Sequence, residues 1–279
     1  MHQIMKNKNL SIIIPCKDDK KIIRCLDSIG VDSVEVVIVF NGSNEQFMDW
    51  VKKNNPIKET TYLNVGGANL ALALEKGTWA AKNDWVLYMD SDCVFEKNAV
   101  SKFIESLRNG NPENEVYKGD ITFNHDTVVS HIIAKSRQHH TAEQLTAYKP
   151  PLAISKKIAK KIGGYFFNQK LIWREDSDLD NRIRTAGIKI LPVKGGMIYH
   201  GALTLKSDLR STYRYGIGLA IANILHIKLT EVPRSTMSTF RSQGFLPALY
   251  MLFRNRIYSI GYWTFLIKYK LGKTHLNAK

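Results

Sequence analysis

The segment from Val34 to Phe40, VEVVIVF, is β-branched and apolar at nearly every position. A strand of that kind has no side to turn toward water, so it suits a parallel sheet covered by helices on both faces. Leu10 to Pro15 (LSIIIP) reads as a buried strand ended by its proline, and Trp85 to Met89 (WVLYM) as another, with a shorter strand at 62–64. Helical patterns lie between them. Ile22, Ile23, Leu26 and Ile29 share one face over 18–29, and helices are expected over 47–53 and 68–76, the last stopped by Gly77. Beyond these, helices at 97–108, 131–145, 155–162, 178–185, 209–227 and 245–270 and strands at 116–123, 188–193 and 197–200 continue the order. Such alternation predicts βαβ units and an α/β fold with a mostly parallel central sheet flanked by helices. Ligands in such sheets bind beyond the carboxyl ends of the strands, where Pro15, Asn41 and Asp90 fall.

A chain of 279 residues buries about three quarters of its unfolded surface, so no metal or disulfide staple is required. An apolar fraction of 44% with 23% charged residues excludes a wholly disordered or fibrous chain. Cys16, Cys25 and Cys93 are odd in number and lack metal-type spacing, which argues for a reducing compartment. The N-terminus has no apolar run of the signal-peptide kind. The most apolar stretch, 245–267, is broken by Arg254 and Arg256 and falls short of a spanning helix. A cytoplasmic chain is expected.

Forty Lys and Arg against 25 Asp and Glu give a net charge of +15. From His200 onward there are 12 basic residues and two acidic ones, Asp208 and Glu231, so +10 of the excess lies there. The chain therefore divides into 1–200 and a basic, aromatic-rich helical extension at 201–279. Aromatic residues interleaved with Arg and Lys suit a helix lying on anionic lipid at the inner face of a membrane. They also suit a helix packed on the first domain with a solvated basic face. A nucleic-acid groove is the least favoured partner.

Three groups of residues are equipped for chemistry. Asp90-Ser91-Asp92 follows an apolar strand, and two carboxylates on such a turn can converge on Mg²⁺ or Mn²⁺; a solvated surface turn is the plain alternative. Trp173-Arg174-Glu175-Asp176-Ser177-Asp178 puts three acids at a helix start. Acids there complement the helix dipole, and a carboxylate general base would be held the same way. His200 ends a strand, as a structural histidine or as a further metal ligand.

Taken in order, SIIIPCKDD at 11–19, VVIVFNGS at 36–43, the helix start at Gly66-Gly67-Ala68-Asn69 and YMDSD at 88–92 are joined by Gly163-Gly164-Tyr165-Phe166, EDSDL at 175–179 with Arg182, and AGIKILPV…MIYH at 186–200. This series resembles the family-2 glycosyltransferases over roughly residues 9–200. The resemblance implies a GT-A nucleotide-sugar-binding fold, here with a C-terminal helical appendage. It implies a metal-dependent, inverting transfer of one sugar from a nucleotide sugar to a hydroxyl, in surface glycan or glycolipid assembly. Pro15, Lys17, Asp18, Asn41, Ser43 and Asn69 would line the donor pocket with Asp90, Ser91 and Asp92. Asp92 would be the direct metal ligand and Asp90 nearer the ribose, with His200 assisting the metal. Asp176 would be the base, beside Glu175, and Trp173 and Arg174 would face a saccharide or lipid-linked acceptor.

Two departures shape these expectations. Members usually carry an acid before the Asn-Gly-Ser turn, where it recognises uracil; here the residue is Phe40. UDP-sugars are still favoured, with GDP- and dTDP-sugars open. No Gln-x-x-Arg-Trp occurs, which favours single-sugar transfer over polymer synthesis. A nucleotidyltransferase would want a Gly-rich loop after the first strand, and PCKDDKK has no glycine. A non-catalytic sugar- or nucleic-acid-binding module would not need a base.

Overall fold

The computed structural model describes residues 10–141, 145–232 and 235–276. Eight strands form one sheet: β1 (Leu10–Cys16), β2 (Glu35–Phe40), β3 (Thr60–Asn64), β4 (Trp85–Tyr88), β5 (Cys93–Phe95), β6 (Glu115–Phe123), β7 (Leu152–Ser155) and β8 (Lys189–His200). The helices are α1 (Ile22–Asp27), α2 (Glu45–Asn54), α3 (Leu70–Ala80), α4 (Ala99–Arg108), α5 (Val128–Thr141), α6 (Glu175–Thr185), α7 (Leu205–Ile224), α8 (Thr236–Gln243) and α9 (Phe245–Lys270). The strand order is β3-β2-β1-β4-β7-β6-β8-β5. The first four strands in that order are parallel, as is β6 to β8, while β4–β7, β7–β6 and β8–β5 are antiparallel. The sheet is thus parallel from β3 to β4 and mixed beyond it.

The two-faced character of the central strands is realised residue by residue. Ile12, Ile14, Val36, Ile38 and Leu87 pack into one apolar cluster with α1, α2 and α4. Ile13, Val37, Val39, Val86 and Tyr88 pack into a second with α3 and α6 on the opposite face. The polar exception in β2, Glu35, is buried and accepts hydrogen bonds from Ser11 Oγ (2.6 Å), Thr61 Oγ1 (3.1 Å) and the Lys82 N–H (2.7 Å). Its carboxylate ties β1, β2 and β3 together at the end remote from the ligand crevice.

Several local expectations change. β1 runs through Pro15 to Cys16. Pairing with β4 stops at Ile13, so the missing N–H of Pro15 breaks no ladder bond, and the two strands part there to open the crevice. Residues 156–162 form a 3-10 helix rather than an α-helix. The strands expected at 188–193 and 197–200 are one element, β8, whose register against β6 shifts where Lys118 pairs with Pro192 and Asp120 with Met197. Gly119 lies at that shift, and a Cβ there would sit 1.9 Å from Gly196 O. The segment 142–144 of the helix expected at 131–145 lies outside the described residues. β5, β7 and α8 are too short or too polar to announce themselves.

Gly77 does not stop α3, which continues to Ala80. It lets the helix press on the sheet: a Cβ at this position would lie 2.7 Å from Ile13 Cγ2 and 2.9 Å from Val39 Cγ2. Replacing Gly77 by Ala removes a helix-weakening residue yet overpacks the interface. The expected net effect is a loss of about 1–3 kcal/mol, read as a lower urea midpoint at unchanged m-value.

Candidate active site

The crevice begins at the carboxyl ends of β1 and β2. After β1 the chain turns at Asp18, whose φ of +50° is left-handed. The Asp18 carboxylate accepts from the backbone N–H and Nδ2 of Asn44, both at 3.2 Å. Its own N–H donates to Ser43 Oγ (3.4 Å), and Ser43 donates to Cys16 O (3.2 Å). Asp18 and Ser43 therefore strap the two strand ends together, with Lys17 exposed at the mouth and Pro15 buried behind it. Gly42, at φ +77°, passes so close to Ala68 N that a Cβ would lie 3.1 Å away. Asn41 Oδ1 accepts the Asn69 N–H (2.7 Å), and Asn69 Oδ1 caps α3 on the Leu72 N–H (3.0 Å). Asn41 and Asn69 thus link the end of β2 to the start of α3. Phe40 turns into the core, stacked on Tyr62 at 6.1 Å and edge-on to Phe47 at 6.4 Å, so its side chain offers a base no hydrogen bond.

β4 delivers Asp90, Ser91 and Asp92 to the same edge. The short strand β5 then starts at Cys93, opposite His200 in the antiparallel ladder with β8. That register brings His200 Nε2 to 3.4 Å from Asp92 Oδ2. His200 Nδ1 lies 2.8 Å from Gly201 O; as its donor it leaves Nε2 with a lone pair facing Asp92. One ligand atom each from Asp92, Cys93 and His200 lie within 4.8 Å of one another. Burial, with Asp90 and Asp92 nearby, pushes the Cys93 thiol well above its ordinary value, and a soft sulfur ligand suits a hard cation poorly. Asp92 and His200 remain as a carboxylate and imidazole pair with open positions, as a substrate-binding cation site requires. Ser91 bonds the thiol of Cys16, which burial holds at about 11.

The opposing wall is α6. Glu175 and Asp176 stand in its first turn, where the N-terminal dipole favours carboxylates. Between them and Asp90 lies Lys149, whose side chain is only 6% exposed, with Nζ 3.4 Å from Asp90 Oδ1 and 3.6 Å from Glu175 Oε1. Burial raises Glu175 to about 7 despite Lys149, and also raises Asp176 above the usual aspartate range against Lys149 and Arg174. Desolvation dominates both shifts; the charges of Asp176 and Asp90 add less at Glu175, and that of Asp90 at Asp176. A second buried lysine, Lys118, donates to Pro150 O (2.8 Å) and is lowered to about 7 by burial, with Asp176, Asp120 and Asp90 opposing. Four carboxyl groups (Asp90, Asp92, Glu175 and Asp176) thus share the cleft with two lysines, and burial works against the charged forms of Glu175, Asp176 and Lys118. The surplus negative charge fits a divalent cation.

Arg174 does not face the cleft. It is left-handed at φ +74° and buried. Its guanidinium donates to Tyr258 OH (2.7 Å), Ser177 Oγ (2.9 Å), Glu231 Oε1 (3.0 Å) and Thr230 O (3.3 Å). Arg174 therefore joins the carboxylate helix to α9 and to the segment after α7. Trp173 is half-buried under the Arg214 guanidinium, 5.5 Å from the ring centre. Sequence patterns left Lys149, Lys118 and Glu75 unremarked. Glu75 accepts from the N–H groups of Phe166 and Phe167 at 2.9 and 2.8 Å and from Trp79 Nε1 at 2.6 Å. A lone charged residue in an apolar segment, as at Glu35 and Glu75, is the signal that a buried anchor is present. Lys149, before two prolines in a polar loop, carries no such signal.

The family model for glycosyl transferase family 2 matches residues 11–172, more than half of the chain. A search of curated proteins finds no match. Among solved structures, the mannosyltransferase PcManGT from Pyrobaculum calidifontis, in complex with GDP-Man and Mn²⁺, is similar at a TM-score of 0.57 and 15% identity, over 95% of this chain and 86% of that one. TarS residues 1–349 from S. aureus is similar at 0.54 and 14% identity, over 96% and 93%. GalNAc-T7 with UDP, GalNAc and Mn²⁺ is similar at 0.53 and 14% identity, over 71% of this chain and 44% of that one. At these identities the likeness concerns the fold.

One further contact sets α6 in place. Arg182 pairs with Asp178 at 2.9 Å and donates to Ile162 O (2.8 Å), Tyr165 O (2.7 Å) and Phe166 O, with its guanidinium 4.2 Å from the Tyr165 ring centre. Arg182→Met keeps the stem but strands a buried carboxylate and three carbonyls. The expected cost is about 3 kcal/mol or more, measured by urea unfolding.

Proposed function

The chain belongs to glycosyl transferase family 2 and is a glycosyltransferase with the GT-A fold, and we propose that it moves a single sugar from a nucleotide-sugar donor to a hydroxyl acceptor by a cation-dependent, inverting displacement. The observation that carries this reading is the meeting of Asp92 and His200 on one wall with Glu175 and Asp176 on the other, across the buried ammonium of Lys149. Neighbours of the same fold are complexed with UDP, UDP-GlcNAc or GDP-Man, two of them with Mn²⁺. Here UDP-sugars are the first candidates, and GDP- and dTDP-sugars stay open because the buried Phe40 withholds the acid that would select uracil. The acceptor is a saccharide or lipid-linked hydroxyl in surface glycan or glycolipid assembly, reached from the cytoplasm.

Pro15, Lys17, Asp18, Asn41, Ser43 and Asn69 shape the nucleotide end of the crevice, Asp90 and Ser91 the middle, and Asp92 with His200 would hold Mn²⁺ or Mg²⁺. The bound cation would neutralise charge that grows on the β-phosphate oxygen as the bond to the anomeric carbon breaks. Asp176 takes the proton of the acceptor hydroxyl as its oxygen attacks the opposite face of that carbon, and the nucleoside diphosphate leaves with the bonding pair. Burial makes Asp176 a stronger base than a free aspartate. Glu175, held by Lys149, keeps the acid pair at the cleft. Trp173, beside the same helix start, borders the acceptor side, while Arg174 acts there by holding the segment rather than by touching sugar.

Asp92→Ala is expected to abolish the Mn²⁺-dependent stabilisation by a nucleotide sugar in thermal shift, leaving the melting temperature without ligand unchanged. Donor binding with the same metal dependence would remove Asp92 from the cation site.

Asp176→Asn is expected to lower turnover by about 10²-fold or more with donor affinity little changed. In the parent enzyme the rate should fall with decreasing pH through a value above the ordinary aspartate range, because burial raises that carboxyl and its protonated form cannot accept. The residual activity of the Asn variant should lack that acid limb. A near-normal rate would move the role to Glu175 or Asp178.

A further inference from the structure

The C-terminal helices are packed on one side and bare on the other. α9 crosses α7 at two glycines so tightly that a Cβ on Gly216 would sit 2.0 Å from Tyr258 O and one on Gly261 2.1 Å from Tyr213 O. Pro247, Ala248, Met251, Arg254 and Gly261 are its buried residues. Arg254 reaches Asp208 at 2.8 Å, and Arg137 and Tyr250 bond the same carboxylate at 2.5 Å each. That inward face is packed against α7 and the Asp208 carboxylate.

The outward face is apolar as well. Leu246, Leu249, Phe253, Ile260, Trp263 and Ile267 are each between 47% and 57% exposed. At 100° per residue they fall within an arc of about 120° opposite the buried residues. Met237 and Phe240 of α8, 60% and 49% exposed, extend the same apolar character into the adjoining helix. Single exposed apolar residues are ordinary on a protein surface; a continuous stripe along a helix of 26 residues is the mark of an interaction site.

The charge around the stripe identifies the occupant. Arg241, Arg256, Lys268, Lys270 and Lys273 are exposed on these helices and the turn that follows. No acidic residue occurs after Glu231. Arg256 lies within the apolar arc itself, where a protein partner would have to bury its charge but a lipid phosphate would meet it. Among the described residues no helix is long and apolar enough to cross a membrane. A long helix with an apolar stripe, basic flanks and no acids lies in the plane of an anionic bilayer, its apolar side chains at the headgroup boundary.

We propose that the outward stripe of α8 and α9 is a docking face for an anionic phospholipid bilayer. The inference concerns a surface apart from the reacting groups and does not depend on which sugar is transferred. Tyr258 of α9 accepts from Arg174, the residue before Glu175, so the docking helix is tied to the carboxylate helix.

The test is flotation of the full chain with vesicles of equal parts phosphatidylcholine and phosphatidylglycerol, and with phosphatidylcholine alone, at low and high salt. Binding to the anionic vesicles, weakened by salt and much weaker to the neutral ones, is expected. The double variant Leu249→Gln, Trp263→Gln should bind about tenfold or more weakly with an unchanged melting temperature, since both side chains already face solvent. Arg256→Gln with Lys268→Gln should lower anionic binding and its salt dependence, and Lys53→Gln on α2 should change nothing. Brominated lipid should quench a tryptophan component in the parent that is missing in Trp263→Phe, which reads the contact without disturbing the fold. The proposal is overturned by equal binding to neutral and anionic vesicles, by unchanged binding of the Leu249/Trp263 variant, or by equal quenching of parent and Trp263→Phe. It is also overturned if light scattering shows a dimer that the stripe substitutions dissociate while vesicles are not bound, for the stripe would then serve a second copy of the chain.

Discussion

Burial of the central strands on both faces is the constraint on which the rest of the structure depends. β1, β2 and β4 have apolar side chains above and below the sheet, so helices must cover both surfaces. No chemistry can be placed along such strands. Polar groups can collect only where the strands end, and there β1 and β4 separate after Ile13. Asp90 stands beside that separation, while Asn41 and the strap formed by Asp18 and Ser43 lie just beyond the still-paired ends of β1 and β2. The buried carboxylates of Glu35 and Glu75 serve the same architecture from other positions. One ties three strands together away from the crevice, and the other holds the loop before α6 against α3.

Within the crevice, desolvation and charge pairing work against each other. Removing carboxylates from water raises Glu175 and Asp176, and Lys149 pulls both back toward the charged form. The result is a pair of acids above the ordinary range that remain usable near neutral pH. A buried ammonium between two acids is an expensive device: it loses hydration and gains only what its partners return. Here its partners stand on opposite walls, Asp90 after β4 and Glu175 on α6, so the ion pairs hold the cleft at a set width. Asp92 and His200 stay partly open to solvent beside them, where a cation and phosphate oxygens can enter.

The extension beyond residue 200 is more than an appendage in its contacts. Thr230 donates its N–H to Ser177 O and accepts from Arg174 and Tyr148. Tyr258 takes a further bond from Arg174. The carboxylate helix is therefore braced by residues far along the chain. Packing at Gly216, Gly218 and Gly261 leaves no room for a side chain between these elements, and that closeness is what makes α9 both a wall of the catalytic unit and a platform with a free face. Of the two expectations for the basic tail, the packed helix describes its inward side, and the lipid-facing helix is what we propose for its bare one.

The sequence by itself determined the parallel half of the sheet, because continuous β-branched runs exclude a solvated face. It determined α9 from Phe245 to Lys270 and the strand leading to Asp90-Ser91-Asp92, because apolar runs and turn residues act locally; the helix expected at 178–185 begins instead at Glu175, after the left-handed Arg174, which offers no side-chain cap. It also singled out Asp92 and His200, more than a hundred residues apart. Only the tertiary structure decided that they meet, since the contact rests on β5, three residues long, and its ladder to β8. Only packing decided that Gly77 is a contact point rather than a stop, since the reason is the methyl groups of Ile13 and Val39. Lys149 was invisible because its partners come from two distant elements and nothing beside it in the chain foretells them. Arg174 stands next to the acids in sequence, yet its left-handed backbone turns it toward α9. Which side of α9 is bare was equally illegible: a helix apolar all round has no preferred face until a neighbour covers one.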